Sequence, residues 1–187
     1  ISPNFMTVSS HHVASSVGIE ILKNGGNAVD AALAMSAVLC VAEPHMTGIG
    51  GDCFAMLSID GSANIKALNA SGKSSVNSSS SHLRNKGIKL IKPEMPDAIT
   101  IPGAIAGWSK LHKEHGHMPW HEILQPAIKY ARSGIIIHER VAYDWKKNKE
   151  KLLADKDTSK IFLKNKKPFN VMENFKNIQL SKTFETI

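Results

Sequence analysis

The residues best suited to do chemistry flank a glycine cluster at positions 48–51. Glu43 and His45 lie just before this cluster, and Asp52 follows it directly. Carboxylates and imidazoles are among the side chains that most often transfer protons in enzymes, and a plain connection between two elements does not require three of them. The default role of such glycines is a tight turn that lets backbones approach closely. We nevertheless expect a functional site nearby.

Two segments share features with nucleotide-binding motifs but lack essential parts of them. The glycine cluster lies between a predicted helix and a predicted strand, whereas a dinucleotide fingerprint needs a strand before a helix. Residues 67–74 end in Gly72-Lys73-Ser74, like a phosphate loop, but Ala67 replaces the first glycine and the serine-rich segment that follows is poor helix material. A nucleotide or nucleic-acid binder that uses Gly72-Lys73-Ser74 and a lysine-rich helix is our alternative outside the enzymes.

The residue types predict neither a metal site nor a familiar nucleophile. His11 and His12 are adjacent, so on a helix their rings would point apart. The closest approach to a metal pair is formed by His112, His115, His117 and His121. No carboxylate at helical spacing completes a ligand set there, and no Gly-x-Ser-x-Gly elbow occurs. The residues alone give no complete catalytic constellation, and we expect no metal and no cofactor.

The composition indicates a globular chain with a basic later part. Of 187 residues, 42% are hydrophobic and 21% are charged, which is too apolar for a disordered chain. The net charge of +7 comes from the residues after position 70, most densely from lysines at 146–151 and 164–167. Between Lys146 and Lys167 there is no arginine and one aromatic residue, Phe162, so a solvated helix face is favoured over a nucleic-acid partner.

The apolar runs are too short for a membrane span. The longest, Ala31–Ala42, is broken by Ser36 and falls below the roughly 20 residues that a bilayer requires. Residues 1–10 have no basic end and no long apolar block, so a signal peptide is not expected. Cys40 and Cys53 are too few for a disulfide framework, which favours the cytoplasm, with a secreted or periplasmic protein open if a leader has been removed.

Two consecutive helices are predicted near the start. Val13, Val17 and Ile21 recur every four residues from Ser10 onward, which gives the first helix one apolar face. The pair Gly25-Gly26 ends this helix, because glycine readily takes the left-handed conformation at a helix C-terminus.

The second helix is predicted at Ala28–Ala42, with Asn27 as N-cap and Asp30 in a relative of the capping box. It is apolar at 13 of its 15 positions, so it must be buried on all sides. The few strands of this chain cannot cover it, and we expect the cover to come from more chain or another subunit. On this basis the chain is an incomplete fold.

The central part is predicted to form a hairpin. Asp60-Gly61 is a strong turn signal, and it joins strands at Cys53–Ile59 and Asn64–Asn69. Further short strands are expected at Met6–Ser9 and Ile99–Ile101, with a serine-rich loop at 71–81.

The remainder favours helices at Ala104–His115, from Pro119 to about Arg132, and at His138–Leu153, with a possible final helix within residues 162–187. The order of helices, hairpin and helices predicts an α+β fold. We treat residues 1–187 as part of a single domain.

Several blocks of this sequence resemble one known family in register. They are Val8–His11, Gly18–Ala32, Glu43–His45, Gly48–Phe54, Ile101–Trp108, Leu124–Ile128 and the region of Phe162-Leu163. The chain is similar to the opening of the large subunit of the γ-glutamyltranspeptidases, and is closest to their γ-glutamyltranspeptidase-like branch. The resemblance implies an N-terminal-nucleophile hydrolase fold, a four-layer αββα sandwich of which this chain is an incomplete part.

The resemblance also implies an activity and a partner. Members of the family are made as one precursor that cuts itself, and the new N-terminal Thr of the small subunit is the nucleophile. It forms an acyl-enzyme with a γ-glutamyl amide, which water or an amino acid or peptide resolves. The nucleophile and the oxyanion donors lie on the small subunit, so no catalytic residue is expected in this chain. An acylase of the same superfamily, acting on other amides, is the alternative among enzymes.

One functional position of the family maps onto this chain. Shortly after the second strand, typical members carry an Arg that grips the α-carboxylate of the substrate with two donors. Without a gap, this position is Ser71; with two extra residues, Gly72-Lys73 takes the Gly-Arg place. Lys73 could bind a carboxylate as a point charge, but it lacks the guanidinium fork. A solvated loop lysine is the alternative interpretation.

Overall fold

The structure is a computed structural model that describes residues 4–93 and 95–187. Its chain divides into two compact units. The first contains residues 1–48 and 115–187, and the second contains residues 49–114.

Helices and short strands make up both units. The helices are α1 (His12–Lys23), α2 (Ala28–Ala42), α3 (Ser80–Asn85), α4 (Ala104–His115), α5 (Trp120–Ser133), α6 (Glu139–Lys147), α7 (Lys149–Ala154), α8 (Lys156–Phe162) and α9 (Ile178–Thr186). The strands are β1 (Cys53–Ser58), β2 (Ile65–Ala70), β3 (Ile135–Ile136), β4 (Leu163–Lys164), β5 (Lys167–Pro168) and β6 (Asn174–Phe175). No helix of the described residues is long and apolar enough to cross a membrane.

Helix α1 begins and ends where the sequence predicts, within two residues. His11 is its N-cap, and the Nδ1 atom of this residue accepts a hydrogen bond from the backbone N–H of Val13 at 3.3 Å. Gly25 follows the helix with φ +93°, the left-handed conformation expected of a glycine there. The apolar face of α1 packs against α2.

Helix α2 confirms the predicted capping box. Asn27 Oδ1 accepts from the N–H groups of Val29 (2.9 Å) and Asp30 (3.1 Å), while Asp30 Oδ2 accepts from the Asn27 N–H at 3.0 Å. Ten of the fifteen residues are buried. Helices α1 and α5 of the same chain provide the cover, and Ala28 and Ala32 remain exposed. The helix is therefore buried on most of its sides rather than on all of them.

Asp30 fastens the start of α2 to the segment that leads into α5. Its side chain is 0% exposed, and its carboxylate accepts from the backbone N–H groups of His117 (3.0 Å) and Met118 (3.1 Å) as well as Asn27. A buried carboxylate is costly unless it is hydrogen-bonded, and these backbone donors satisfy it.

The later part of the first unit surrounds Trp145, which is fully buried on α6. The rings of Phe162, Phe169 and Phe175 lie 5.6, 5.8 and 5.0 Å from the Trp145 ring, between centroids. The two-residue pairs β3–β6 and β4–β5 bring these aromatic residues together. The sequence did not predict these short strands.

The helix predicted at His138–Leu153 is interrupted. The break lies at Asn148, between α6 and α7, where the side-chain amide of Asn148 donates to the carbonyl of Asp144 at 2.8 Å. An asparagine side chain competes for backbone groups in this way and so favours helix ends over helix interiors. The possible final helix is confirmed as α9.

The second unit is built around the predicted hairpin. Strands β1 and β2 are antiparallel, with Cys53 opposite Ala70, and Asp60 (φ +53°) and Gly61 (φ +68°) form the turn. Within the described residues, β1 and β2 pair only with each other. On one face of this ribbon Phe54 is 68% exposed and Met56 is 77% exposed.

Helix α4 packs against the other face of the hairpin. A Cβ added to Gly107 would lie 2.6 Å from the Cβ of Ala70 and 3.0 Å from the Cβ of Cys53. Real Cβ atoms do not approach so closely without displacement, so this position requires glycine.

Two of the expected strands are wrong. Met6–Ser9 forms no strand, because the side chains of Thr7 and Ser9 donate instead to backbone carbonyls of Ser15 and His11, each at 2.8 Å. Ile99–Ile101 also forms no strand; the Ile99 N–H donates to the Pro96 carbonyl at 3.1 Å, and the Ile101 N–H donates to the Lys73 carbonyl at 2.9 Å.

Candidate functional site

The loop that follows β2 is held by two side-chain oxygens. The N–H of Ser71 donates to Asn69 Oδ1 at 2.9 Å, and the N–H of Gly72 donates to Asp52 Oδ1 at 3.0 Å. Asp52 Oδ1 also accepts from the hydroxyl of Thr100 at 3.3 Å. Asp52 thus connects the end of the glycine cluster to this loop and to the chain before α4.

Close backbone approach fixes the same loop from the other side. A Cβ on Gly72 would lie 1.6 Å from the carbonyl oxygen of Ile101, and one on Gly103 would lie 2.2 Å from that of Ala70. Only glycine fits these two positions. Together with the hydrogen bond from Ile101 to Lys73, this contact sets the backbone at the start of the Lys73 side chain.

The glycine cluster supplies an anchor through its last member. The carbonyl of Gly51 accepts from the N–H groups of Gly103 and Ala104, both at 2.9 Å, at the first turn of α4. A Cβ on Gly48 or Gly50 would meet nothing within 4 Å. The expected close approach therefore does not apply at these two glycines.

Lys73 and Ser71, the two predicted substrate-binding residues, are both exposed on this loop. Lys73 forms no ion pair with any residue in 4–93 or 95–187. The Ser71 hydroxyl makes no hydrogen bond in that same part of the chain. An unpaired ammonium on a fixed backbone is suited to bind an anionic group, and a carboxylate is the simplest one.

The loop is not arranged as a phosphate cradle. The N–H groups of Ser71 and Gly72 already donate to side-chain oxygens, one of them a carboxylate. The next helix, α3, starts only at Ser80, whereas a phosphate loop needs a helix directly after its lysine. The geometry therefore argues against nucleotide binding at Gly72-Lys73-Ser74.

The acid–base residues around the glycine cluster have separate partners. Glu43 is buried and accepts from the hydroxyl of Ser10. His45 Nε2 lies 3.2 Å from Asp144 Oδ2, which also accepts from Arg140 Nε at 2.6 Å. The hydrogen bond from Arg140 is the main reason that the pKa of Asp144 is below its usual value. Glu43 and His45 therefore bond to different partners and not to each other.

A histidine cluster, His11, His12 and His138, was not expected. The rings of His11 and His12 stack at 4.7 Å between centroids, and His138 lies 5.8 and 5.9 Å from them. The expectation that the two adjacent rings point apart is wrong, because His11 is the extended N-cap and only His12 belongs to α1. The position of His11 directly before the apolar repeat of α1 is the sequence signal that could have located this cluster.

The surroundings of His11 favour the neutral form of its ring and lower its pKa. It is 2% exposed, and its Nε2 atom is buried without a hydrogen-bond partner. Burial is the largest cause of its lowered pKa, the positive potential of His12 and His138 acts in the same direction, and Glu43 acts against them.

The remaining candidates offer no strong nucleophile. Burial raises the pKa of Cys40 to about 11 and also raises that of Cys53, so neither thiol is activated. Within the described ranges, no group of three His, Cys, Asp or Glu side chains could hold a metal ion.

Comparisons with known proteins identify the family. Residues 14–187 match the profile of the family Gamma-glutamyltranspeptidase. A glutathione hydrolase-like proenzyme, YwrD of Bacillus subtilis (strain 168), is 35% identical over 182 residues, which are 97% of this chain and 34% of that protein. The chain belongs to the γ-glutamyltranspeptidase family.

Solved structures agree with this assignment. The crystal structure of Helicobacter pylori gamma-glutamyltranspeptidase aligns with a TM-score of 0.92 at 29% identity, over 100% of this chain and 54% of that chain. A cephalosporin acylase from Bacillus halodurans aligns with a TM-score of 0.87 at 28% identity, over 100% of this chain and 38% of that chain. The expected fold class is confirmed: the chain is α+β and is an incomplete part of the N-terminal-nucleophile hydrolase sandwich. It spans about a third of the length of the curated relatives it matches.

Proposed function

We propose that this chain is the large-subunit portion of an enzyme that cleaves γ-glutamyl amides. The nucleophile would be the N-terminal Thr of a small subunit made by cleavage of the same precursor. The observation that carries the proposal is Lys73: an exposed cation without an ion pair in the described residues, on a loop fixed by Asp52 and Ile101, in a chain of this family. Residues 1–187 would form part of a single domain of the complete enzyme.

In the proposed mechanism, this chain binds and orients the donor. The ammonium of Lys73 would hold the α-carboxylate of the γ-glutamyl group as a point charge, with the nearby Ser71 hydroxyl as a second donor. The Thr oxygen of the small subunit then attacks the γ-carbonyl carbon, and its proton passes to its own amine. The C–N bond breaks, the leaving amine takes that proton, and an acyl-enzyme remains. Water or the amine of an acceptor amino acid or peptide completes the reaction.

The first experiment establishes the enzyme and its second chain. The full-length gene product is purified and analysed by mass spectrometry, and a chromogenic γ-glutamyl anilide is used as the donor. We expect two polypeptides, one of which begins with Thr, and release of the anilide product. A single uncut polypeptide that is inactive on every amide tested would contradict the proposal.

The role of Lys73 is tested by substitution in the matured enzyme. Lys73→Ala should raise KM for the γ-glutamyl anilide about 10-fold or more, because a hydrogen bond to a charged group contributes about 1.5–3 kcal/mol. Lys73→Arg should keep KM close to that of the parent. The matched control is Lys66→Ala, an exposed lysine of β2. Equal KM values for Lys73→Ala and the parent would make Lys73 a solvated loop residue.

An acylase is the second candidate, favoured by the alignment with the cephalosporin acylase and by a lysine in place of the two-pronged arginine. The same assay with acyl anilides that lack the amino-acid end separates the two. Cleavage of those amides, without cleavage of the γ-glutamyl anilide, identifies an acylase.

For the compartment we propose the cytoplasm, supported by the two free thiols. Fractionation of cells that express the tagged full-length protein tests this.

A further inference from the structure

We propose that Asp52 is a positioning residue that sets the orientation of Lys73 toward the donor carboxylate. The inference rests on the proposed function of Lys73. Asp52 does not need to touch the substrate; it acts through the backbone of the loop that carries the cation.

The hydrogen bonds of Asp52 join three separate parts of the second unit. Its Oδ1 atom accepts from the Gly72 N–H at 3.0 Å and from the Thr100 hydroxyl at 3.3 Å. Gly72 immediately precedes Lys73, and Thr100 immediately precedes the residue that bonds to the Lys73 carbonyl. One carboxylate oxygen therefore bonds both to the residue before the lysine and to the residue before Ile101, which in turn bonds to the lysine carbonyl.

The loop has few other restraints at this point. Gly72 has no side chain that could anchor it, and Asp52 is the acceptor of its only backbone donor. The remaining hydrogen bonds of residues 71–73 are those from Ile101 to Lys73 and from Ser71 to Asn69, and Gly72 also packs closely against the Ile101 carbonyl. Without Asp52, the Gly72 N–H would lose its acceptor, so that the loop could shift at Gly72 while the hairpin and α4 stay in place.

The chemistry of the acceptor suits this role. A hydrogen bond to a carboxylate is shorter and stronger than one to a neutral acceptor, so a charged residue defines the loop geometry better than a neutral one. Asp52 is exposed, and its loss therefore has little effect on the core. The expected consequence is local: the ammonium of Lys73 is displaced while the fold stays unchanged. A displacement of about 1 Å is sufficient to weaken a directed contact.

The test uses four variants of the full-length matured enzyme and the γ-glutamyl anilide. Asp52→Ala should raise KM about fivefold with kcat within twofold, because the donor is held less well but the small-subunit nucleophile is unchanged. Asp52→Asn keeps an acceptor oxygen and should restore most of the affinity. Thr100→Val removes one arm of the same contact and should give a smaller rise. Asp60→Asn, in the hairpin turn, removes one negative charge elsewhere in the unit and is the control.

A double variant separates positioning from general damage. If Asp52 acts through Lys73, the KM of Asp52→Ala with Lys73→Ala should equal that of Lys73→Ala alone, because the second change has nothing left to displace. A KM that rises by the product of the two single effects overturns the inference, as does an unchanged KM for Asp52→Ala.

The outcomes also separate this inference from the proposed function. An unchanged KM for Lys73→Ala means that the role of Lys73 fails, and the positioning role falls with it. A raised KM for Lys73→Ala together with independent effects of Asp52→Ala means that only the positioning role fails. If Asp52→Ala does not mature into two chains, Thr100→Val with Lys73→Ala provides the same comparison, and multiplied effects there overturn the inference.

Discussion

The two units of this chain differ in how far they cover their own apolar residues. In the first unit, α2 is buried largely by α1 and α5, and Trp145 is enclosed by three phenylalanines. In the second unit, the hairpin leaves Phe54 and Met56 more than two-thirds exposed. The candidate site lies in this less covered unit, on the loop directly after β2.

The difference follows from the kind of element on which each unit depends. Helices satisfy their own backbone groups, so three of them can enclose an apolar stripe without further elements. A two-stranded ribbon is only marginally stable by itself and needs further strands or a covering layer. The aligned structure from Helicobacter pylori is nearly twice as long as this chain, so chain that could supply such a layer exists in relatives.

The largest effect on stability is expected at Asp30, in the first unit. Asp30→Ala should lower the free energy of unfolding by about 3–5 kcal/mol, because it leaves the N–H groups of Asn27, His117 and Met118 without their acceptor. Chemical denaturation of the full-length protein measures it. Asp157→Ala, at an exposed side chain, is the control and should stay within about 0.5 kcal/mol. Equal losses of unfolding free energy for Asp30→Ala and Asp157→Ala would mean that the buried carboxylate does not stabilise the first unit more than an exposed one does.

An intermediate effect is expected at the exposed face of the hairpin. If chain outside this segment covers Phe54 in the complete protein, Phe54→Ala should cost about 3 kcal/mol there, as for a buried aromatic residue. The control is Val76→Ala, at a side chain that is 96% exposed. The measurement is again denaturation of the full-length protein. A loss of unfolding free energy below about 0.5 kcal/mol would mean that this face stays exposed to water in the full-length protein. The difference between the two units would then not come from a covering layer that lies outside this segment.

The smallest effect concerns pH and the histidine cluster. Because the pKa of His11 is lowered in the folded protein, the unfolded chain binds the proton more readily. The stabilisation is complete above about pH 6.5, the ordinary histidine pKa, and is lost as the pH falls toward the lowered pKa of the folded state. The denaturation midpoint should therefore decrease as the pH is lowered from 8 to 5.

A variant at the same position tests the source of this pH dependence. His11→Asn keeps a side chain that can cap α1 but does not titrate, so its midpoints should fall less steeply. His121→Asn, at a 74% exposed side chain, should keep the slope of the parent. A parallel slope for His11→Asn would assign the pH dependence to other groups.

Local signals allowed much of the fold to be predicted. The capping box of Asn27 and Asp30 and the turn at Asp60-Gly61 each lie within a few residues, and both are confirmed. The two-residue strands around Trp145 could not be predicted, because they are too short to have a periodicity of their own and because the β3–β6 pair joins residues about 40 positions apart. The break at Asn148 was missed because one polar residue outweighed a helical pattern on both sides.

The candidate site divides in the same way. Lys73 could be proposed from the sequence, because it follows a predicted strand and, with two extra residues, takes the place of the family's arginine; its binding role stays a prediction. The hydrogen bonds that hold the Lys73 loop could not be predicted, because Asp52 lies 20 residues from Gly72 and 48 residues from Thr100 in the sequence. The stacked histidines were also missed, because the helix starts at His12 rather than Ser10, which leaves His11 as an extended N-cap beside His12.

The edges of the β1–β2 ribbon, which have no strand partner among the described residues, bear on how this chain folds during synthesis. Each edge offers a row of backbone donors and acceptors to any extended peptide that arrives. The ribbon also exposes the apolar side chains of Phe54 and Met56 beside these groups. We therefore expect residues 1–187 expressed by themselves to favour inclusion bodies, and chaperones that hold β-structure during synthesis to raise the soluble yield.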